Sequence, residues 1–321
     1  VRTIRGKILA WFVSAVLVLC GALGVVLYRQ VSGSVTTLSD GMAMDIARAR
    51  ADQVGEWLAR INDVTKTIAR LEVVRAMEWD GMKDELMALQ KRDAQFIEMY
   101  FLADATGRAP TTAGGEPVDL SGRDYFKKIM SGAADTVITD PIVSAATNKP
   151  ILVLAHAIKD GTGKIAGVFG VTILLSTVSD MVGSVKIGDG GYGWIVDGTG
   201  LVVAHPDQNQ VMKLNGLKSA ETGFKGLDDI VRKVIGGNAV QGAMVRPDGK
   251  ADTVFALPIK GSPGWGFGIS IPTAEIHATA NHLAKILAGL VGAIVVVFIA
   301  ISFLLGNAIS RPIKNVVALA E

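Results

Sequence analysis

PILVLAHAI at residues 150–158 and IAGVFGVTIL at 165–174 are two apolar runs joined through the turn sequence Asp160-Gly161-Thr162-Gly163. Runs of this length, rich in Val and Ile and bounded by Asp, Gly and Thr, read as paired β-strands. Working outward, Val137–Val143 is a third strand candidate, joined to Pro150 through the turn residues Asn148-Lys149. Phe96–Leu102 (FIEMYFL) is a fourth, closed by Asp104-Ala105-Thr106-Gly107. A short helix over Arg123–Ser131 (RDYFKKIMS) interrupts this sheet. The pattern then recurs. Tyr192–Val196 leads into Asp197-Gly198-Thr199-Gly200 and a hairpin partner, Leu201–His205. Ala256–Lys260 echoes Ala155–Lys159, and Gly266–Ile271 echoes Val168–Ile173, at an offset of roughly 93–101 residues, a domain-scale period rather than a solenoid period. The chain reads as α+β: two α/β modules in series, each an antiparallel sheet flanked by helices.

Upstream of both modules, Val54, Trp57, Leu58, Ile61, Val64, Ile68, Leu71 and Val74 advance by three and four residues, the apolar stripe of a helix. Val35, Leu38, Met42 and Ile46 extend it toward the N-terminus. A helix over Val31–Met77 would span about 70 Å at 1.5 Å per residue. That is too long for an ordinary globular helix. It reads as a stalk, packed partly on its own domain and partly on a second protomer.

Two charge-free apolar runs, Ile8–Tyr28 and Ile286–Gly306, bracket everything else. Each has about the 20 residues that a helix needs to cross a bilayer. Arg2, Arg5 and Lys7 precede the first run, and Arg311 and Lys314 follow the second; only Arg29 and Lys285 adjoin the inner ends. That bias places both termini in the cytoplasm and Arg29–Lys285 outside it. The first run is longer than a signal-peptide core and no A-x-A cleavage site follows it, so it reads as an anchor. Gly21, Ala22, Gly24, Gly289 and Gly292 permit close helix contact. A parallel homodimer with a four-helix membrane bundle would cover the stalk's apolar stripe.

Composition excludes several classes. A net charge of +2 without a Lys/Arg run argues against a nucleic-acid partner. The one cysteine, Cys20, lies in the first apolar run, so the outer domain has no disulfide and no Cys-based zinc site. It must stand on its hydrophobic core, which ~250 residues can supply. His156 and His205 are isolated, and His277 and His282 are spaced wrongly for one helical face, so no metal or cofactor is expected. Gly188-Asp189-Gly190-Gly191-Tyr192-Gly193 matches G-x-G-x-x-G, but a strand follows it where a dinucleotide site needs a helix, so it reads as a loop. No nucleophile, base and orienter, and no paired acids, assemble into an enzyme site. The start at Val1 and the stop at Glu321, soon after the second run, suggest a longer protein whose output domain lies beyond Glu321.

The order of these features carries a resemblance. Arg123-Asp124-Tyr125-Phe126, Asp140-Pro141-Ile142-Val143 and Gly167–Val171 resemble the membrane-distal module of a double Cache domain, a PAS-like fold. Gly191–Asp197 with Ala204-His205-Pro206 resembles its membrane-proximal module, and Arg311-Pro312-Ile313 resembles the start of a HAMP linker, opening a new helix. The resemblance implies a bacterial methyl-accepting chemotaxis protein; sensor histidine kinases and diguanylate cyclases share the same front end. It divides the chain into an N-terminus (1–7), a first span (8–28), a stalk (29–80), the distal module (81–184), the proximal module (185–285), a second span (286–308) and the start of the linker (309–321). It also implies a bacterial cytoplasmic-membrane location, and a signalling domain with kinase and adaptor partners inside.

Arg123 is the leading ligand-binding candidate, because a guanidinium matches a carboxylate in two parallel hydrogen bonds. Tyr125 and Phe126 could wall the pocket. Tyr100, Asp140, Ile142 and Thr172 complete the candidate set. Met99 and Tyr100 alternate on their strand, so only one of them can face a pocket. Asp140 has a competing role as a strand-end cap before Pro141. In amino-acid-binding members of the family, the resemblance places an aromatic at Val118, Trp at Tyr125, Tyr at Phe126, Tyr at Ile142 and Asp at Thr172, the last holding the ligand's ammonium. This chain keeps the Arg and lacks that Asp. A small organic acid without an ammonium is therefore expected over an amino acid.

Overall fold

Residues 4–183 and 190–318 are described in a computed structural model. The chain divides into two compact units, one formed by both chain ends (Val1–Gly41 with Ala274–Glu321) and one by Met42–Thr273.

The larger unit holds the sheets. Helix α1 (Ile4–Ala69) enters it from the N-terminal unit and is followed by the short α2 (Glu72–Arg75) and α3 (Lys83–Arg92). Strands β1 (Ile97–Asp104), β2 (Arg108–Ala109) and β3 (Val118–Asp119) precede α4 (Asp124–Met130). Then come β4 (Thr136–Ile138), β5 (Ile142–Val143), β6 (Pro150–Lys159) and β7 (Ile165–Leu174). Helix α5 (Leu175–Gly183) touches both sheets and leads to β8 (Tyr192–Val196) and β9 (Val202–Ala204). Helix α6 (Leu227–Ile235), β10 (Val240–Val245), β11 (Ala251–Pro258) and β12 (Gly266–Pro272) complete the second module, and α7 (Thr273–Ala318) ends the described chain.

The first sheet runs β1-β7-β6-β4, with β5 also on the edge of β6; the second runs β10-β11-β12-β8-β9. Every pairing within them is antiparallel. Helix α4 covers one face of the first sheet through Tyr125, Phe126 and Ile129, packed with Phe101, Val153 and Val168. Helix α6 does the same in the second through Leu227, Ile230, Val231 and Val234, packed with Trp194, Val254 and Ala256. The echo between the modules is physical. Gly170 lies opposite Phe101 and Gly268 opposite Trp194. A Cβ at either glycine would stand within 2.3 Å of the facing aromatic ring. Each sheet thus needs a glycine where a ring lies flat across the neighbouring strand.

Several readings change. The single strand expected over Val137–Val143 is two, β4 and β5, because Pro141 has no N–H to give the ladder. Thr139 bridges the gap, its N–H bonded to the Val153 carbonyl and its hydroxyl accepting from the Val153 N–H. The stalk helix does not reach Met77. It ends at Ala69, where Leu71 turns extended, and α2 is hooked to the β6–β7 turn by the Arg75 guanidinium on the carbonyls of Lys159 and Asp160. On α1 the buried line is Val54, Leu58, Thr65 and Ala69, while Val64 is 46 % exposed. Thr65 tolerates burial because its hydroxyl returns to the Ile61 carbonyl at 2.8 Å.

Among the described residues one helix, counted from Ser14, is long and apolar enough to cross a membrane; the second apolar stretch, Lys285–Ile301, is shorter. Helix α7 continues through Ser310–Ile313, so no new helix opens there. Helix-compatible residues on both sides outweigh the one backbone bond that Pro312 forgoes. Arg2 lies outside the described residues, as do the side chains of Arg5, Lys7, Arg311 and Lys314.

Candidate functional site

Arg123 occupies the N-cap of α4 with extended backbone (φ −79°, ψ 134°). The preceding turn fixes it: Asp119 Oδ1 accepts the Ser121 N–H, and the Leu120 carbonyl accepts the Arg123 N–H. From there Arg123 lines a cavity that opens to solvent. Tyr125, Ile142 and Thr172 line the same cavity, together with Val118 and Met99. Four elements therefore converge: the β3–α4 segment, β5, β7 and β1. Among the described residues no hydrogen bond or ion pair occupies the Arg123 guanidinium.

Tyr125 packs its ring at 54° against Phe101, with centroids 6.2 Å apart. Burial pushes its phenol up to about 12, against the pull of the Arg123 charge, so it stays a neutral donor. Thr172 is buried, and its hydroxyl donates to Glu98 Oε2 at 2.9 Å.

Three candidates lie elsewhere. Tyr100 faces away from the cavity, as strand alternation requires once Met99 faces it, and stacks on Phe169 at 6.1 Å. Burial raises its phenol to about 12. Phe126 belongs to the core beneath α4, one helix position beyond the cavity-facing Tyr125. Asp140 reaches the second module, where its Oδ1 accepts the Trp265 indole N–H at 3.2 Å. Burial raises its carboxyl, and that hydrogen bond opposes the shift.

Glu98 was not a candidate on sequence grounds. It is 8 % exposed and also accepts the Thr147 hydroxyl. The available signal was a single acid inside the apolar FIEMYFL strand.

A second cavity of about 340 Å³ lies in the second module, lined by Tyr192, Trp194, His205, Gln210 and Phe224. His205 sits edge-on to Tyr192, and its Nδ1 accepts the Asp207 N–H at 2.9 Å. Burial lowers its imidazole. His156, expected to have no partner, has its Nδ1 2.9 Å from Thr136 Oγ1 across β4 and β6. No group of metal-ligating residues occurs among the described residues. His282 is exposed; the side chain of His277, and Gly188 and Asp189 of the glycine-rich match, lie outside them.

The Cache domain family profile (dCache_1) matches residues 27–280. Methyl-accepting chemotaxis protein McpA of Bacillus subtilis strain 168 is 24 % identical over 98 % of this chain and 46 % of its own length. PctB of Pseudomonas aeruginosa PAO1, another methyl-accepting chemotaxis protein, is 25 % identical over 79 % of this chain and 39 % of its own. The chain thus spans less than half the length of these two relatives. Among solved structures, the extracellular domain of mmHK1S-Z3, named as a histidine kinase, aligns with a TM-score of 0.63 at 19 % identity, covering 77 % of this chain and 98 % of that one. The ligand-binding domain of the Pseudomonas fluorescens chemoreceptor CtaA with L-isoleucine aligns with a TM-score of 0.61 at 24 % identity, covering 77 % and 98 %. These likenesses establish the α+β fold.

Proposed function

Because this chain belongs to the Cache domain family, we propose that it is the ligand-sensing and transmembrane signalling region of a chemotaxis receptor. A small carboxylate-bearing molecule binds in the first-sheet cavity. The observation that carries this is Arg123: an unengaged guanidinium at the wall of a partly open cavity, beside a neutral Tyr125 hydroxyl. In this reading residues 81–184 form the membrane-distal module and 185–285 the proximal one. The runs 8–28 and 286–308 span the bacterial cytoplasmic membrane, with both termini inside and the sensor outside. Residues 309–321 begin a HAMP linker, and the chain works as a homodimer passing its signal to a cytoplasmic domain with kinase and adaptor partners.

The uninterrupted α1 and α7 supply stiff connections for a displacement. A ligand shifts the signalling equilibrium only by its differential affinity for the two states. A coupling of about 1–3 kcal/mol is typical. The likeness to the extracellular domain of mmHK1S-Z3 supports a second reading, the input half of a sensor histidine kinase or a diguanylate cyclase. A long helical hairpin following Glu321 in the natural gene would favour the receptor, and a nucleotide-binding catalytic domain would favour the enzyme.

The test is a thermal-melt screen against carboxylates, amines, amino acids, purines and sugars. A ligand at 100 times its Kd adds about 2.7 kcal/mol of stability. Arg123→Ala should weaken a carboxylate ligand about a hundredfold while leaving the ligand-free melt in place. A ligand that binds Arg123→Ala as well as wild type would overturn the site.

A further inference from the structure

The two modules repeat a cavity as well as a sheet. In the first, Met99 and Phe101 of β1 line it, with Phe101 opposite Gly170. In the second, Tyr192 and Trp194 of β8 line it, with Trp194 opposite Gly268. Each cavity thus lies on the helix-covered face of its sheet, at the same register position. Their chemistry differs. Arg123 stands in the wall of the first, whereas no Lys, Arg, Asp or Glu lines the second. Tyr192, Trp194 and Phe224 give the second cavity three aromatic rings, and Leu214 and Met244 add aliphatic surface.

Two further polar side chains line it. His205 is more than nine-tenths buried. Its Nδ1 accepts the Asp207 N–H at 2.9 Å, so the ring, kept neutral by burial, carries its proton on Nε2. Among the described residues no hydrogen bond takes up that proton. Gln210 stands half-buried at the rim and brings a side-chain amide with both donor and acceptor. Between Gln210 and Leu214, Met212 holds a left-handed backbone (φ 57°), its N–H tied to the Val202 carbonyl at 2.9 Å. Such strain in a residue other than glycine persists only where the surrounding structure fixes it. A charged ligand would lose its hydration here and meet no counter-charge. An uncharged planar ring would pack on the aromatic wall and accept the His205 proton.

We infer that the second module holds a ligand site of its own, for a small uncharged heteroaromatic molecule that presents a hydrogen-bond acceptor to His205. This site stands apart from the first-sheet cavity and does not depend on Arg123.

The experiment is calorimetric titration of the whole chain in lipid nanodiscs, with empty nanodiscs as the blank. The probes are 2-pyridone and uracil, neutral rings with a carbonyl; pyrrole, a neutral ring with no such acceptor; and benzoate, a charged ring. Wild type should bind 2-pyridone or uracil about three- to tenfold tighter than pyrrole. His205→Phe should erase that preference and leave pyrrole binding in place. Leu214→Trp, at the partly exposed rim, should fill the cavity and abolish binding of all three neutral rings. Arg123→Ala should change none of these, and benzoate should not respond to Leu214→Trp. If no neutral ring binds wild type, if binding survives Leu214→Trp, or if Arg123→Ala removes it, the inference fails. The carboxylate site is then untouched, because it is judged by its own ligand and by Arg123→Ala. Should His205→Phe not fold, the wild-type preference and Leu214→Trp decide.

Discussion

Single residues set the local geometry of both sheets. Asp104, Asp160 and Asp197 each turn one Oδ1 onto the N–H and hydroxyl of the Thr two positions on, and onto the N–H four positions on. That is why Asp-x-Thr-Gly was readable three times in the sequence: an Asx turn is closed by the side chains that define it. His156 gives a pH prediction. Burial, with the charges of Lys66 on α1 and of Arg70 just beyond its end adding to it, holds its imidazole down at about 4 against an ordinary 6.5. Above pH 6.5 both folded and unfolded states are neutral, and the residue contributes no pH dependence. As pH falls from 6.5 toward 4 the unfolded chain takes the proton first, so stability drops, and it levels off below about 4. Urea midpoints for wild type and His156→Gln should therefore converge on acidification from pH 7 to 4. A difference that stays constant with pH would assign any acid sensitivity to other groups.

At the scale of elements, periodicity located β6, β7 and β8 because each is a long apolar run between turn signals. It failed where one residue broke the run. Pro141 divides β4 from β5, and a bulge in β1 at Glu98, between Ile97 and Met99, changes the face of one acid; neither alters apolar periodicity enough to be seen. The α1 stripe was also only partly legible, since Thr65 is buried and Val64 exposed. Gly55 on α1 faces the second module so closely that a Cβ would stand 2.6 Å from the Lys260 carbonyl oxygen. Gly55→Ala gains ~1 kcal/mol of helix propensity. Pushing α1 off that backbone costs ~1–3 kcal/mol. The collision involves rigid main chain, so a net loss is expected, read as a lower melting temperature. An unchanged or higher value would mean that α1 shifts freely.

For the whole molecule, assembly is the open quantity. Met42 and Ile46 are exposed at 59 % and 37 % on the stalk, one turn apart on one face of α1. In the proposed homodimer that face is covered. Met42→Glu with Ile46→Glu should raise the dimer dissociation constant at least about tenfold, since each burial forfeited is worth ~1.5–3 kcal/mol. Sedimentation equilibrium in detergent would measure it, and an unchanged constant would place the dimer contact elsewhere. The Asp140–Trp265 bond joins the cavity-side segment β4–β5 to the turn before β12. Neither partner's sequence neighbourhood suggests the other.

The sequence by itself determined the class of fold, the repetition of the module, the apolar runs at both ends and Arg123 as the residue to test. Each rests on local pattern: period, turn chemistry, length or one conspicuous side chain. Only the tertiary structure decided which candidates share a cavity. It kept Arg123, Tyr125, Ile142 and Thr172 together, sent Tyr100 and Phe126 into the packed core and Asp140 to the other module, and set Glu98 in hydrogen-bond contact with Thr172. The reason is that a strand's facing direction depends on bulges and on pairing with a partner distant in sequence. A one-residue offset reverses it while the composition of the strand stays the same.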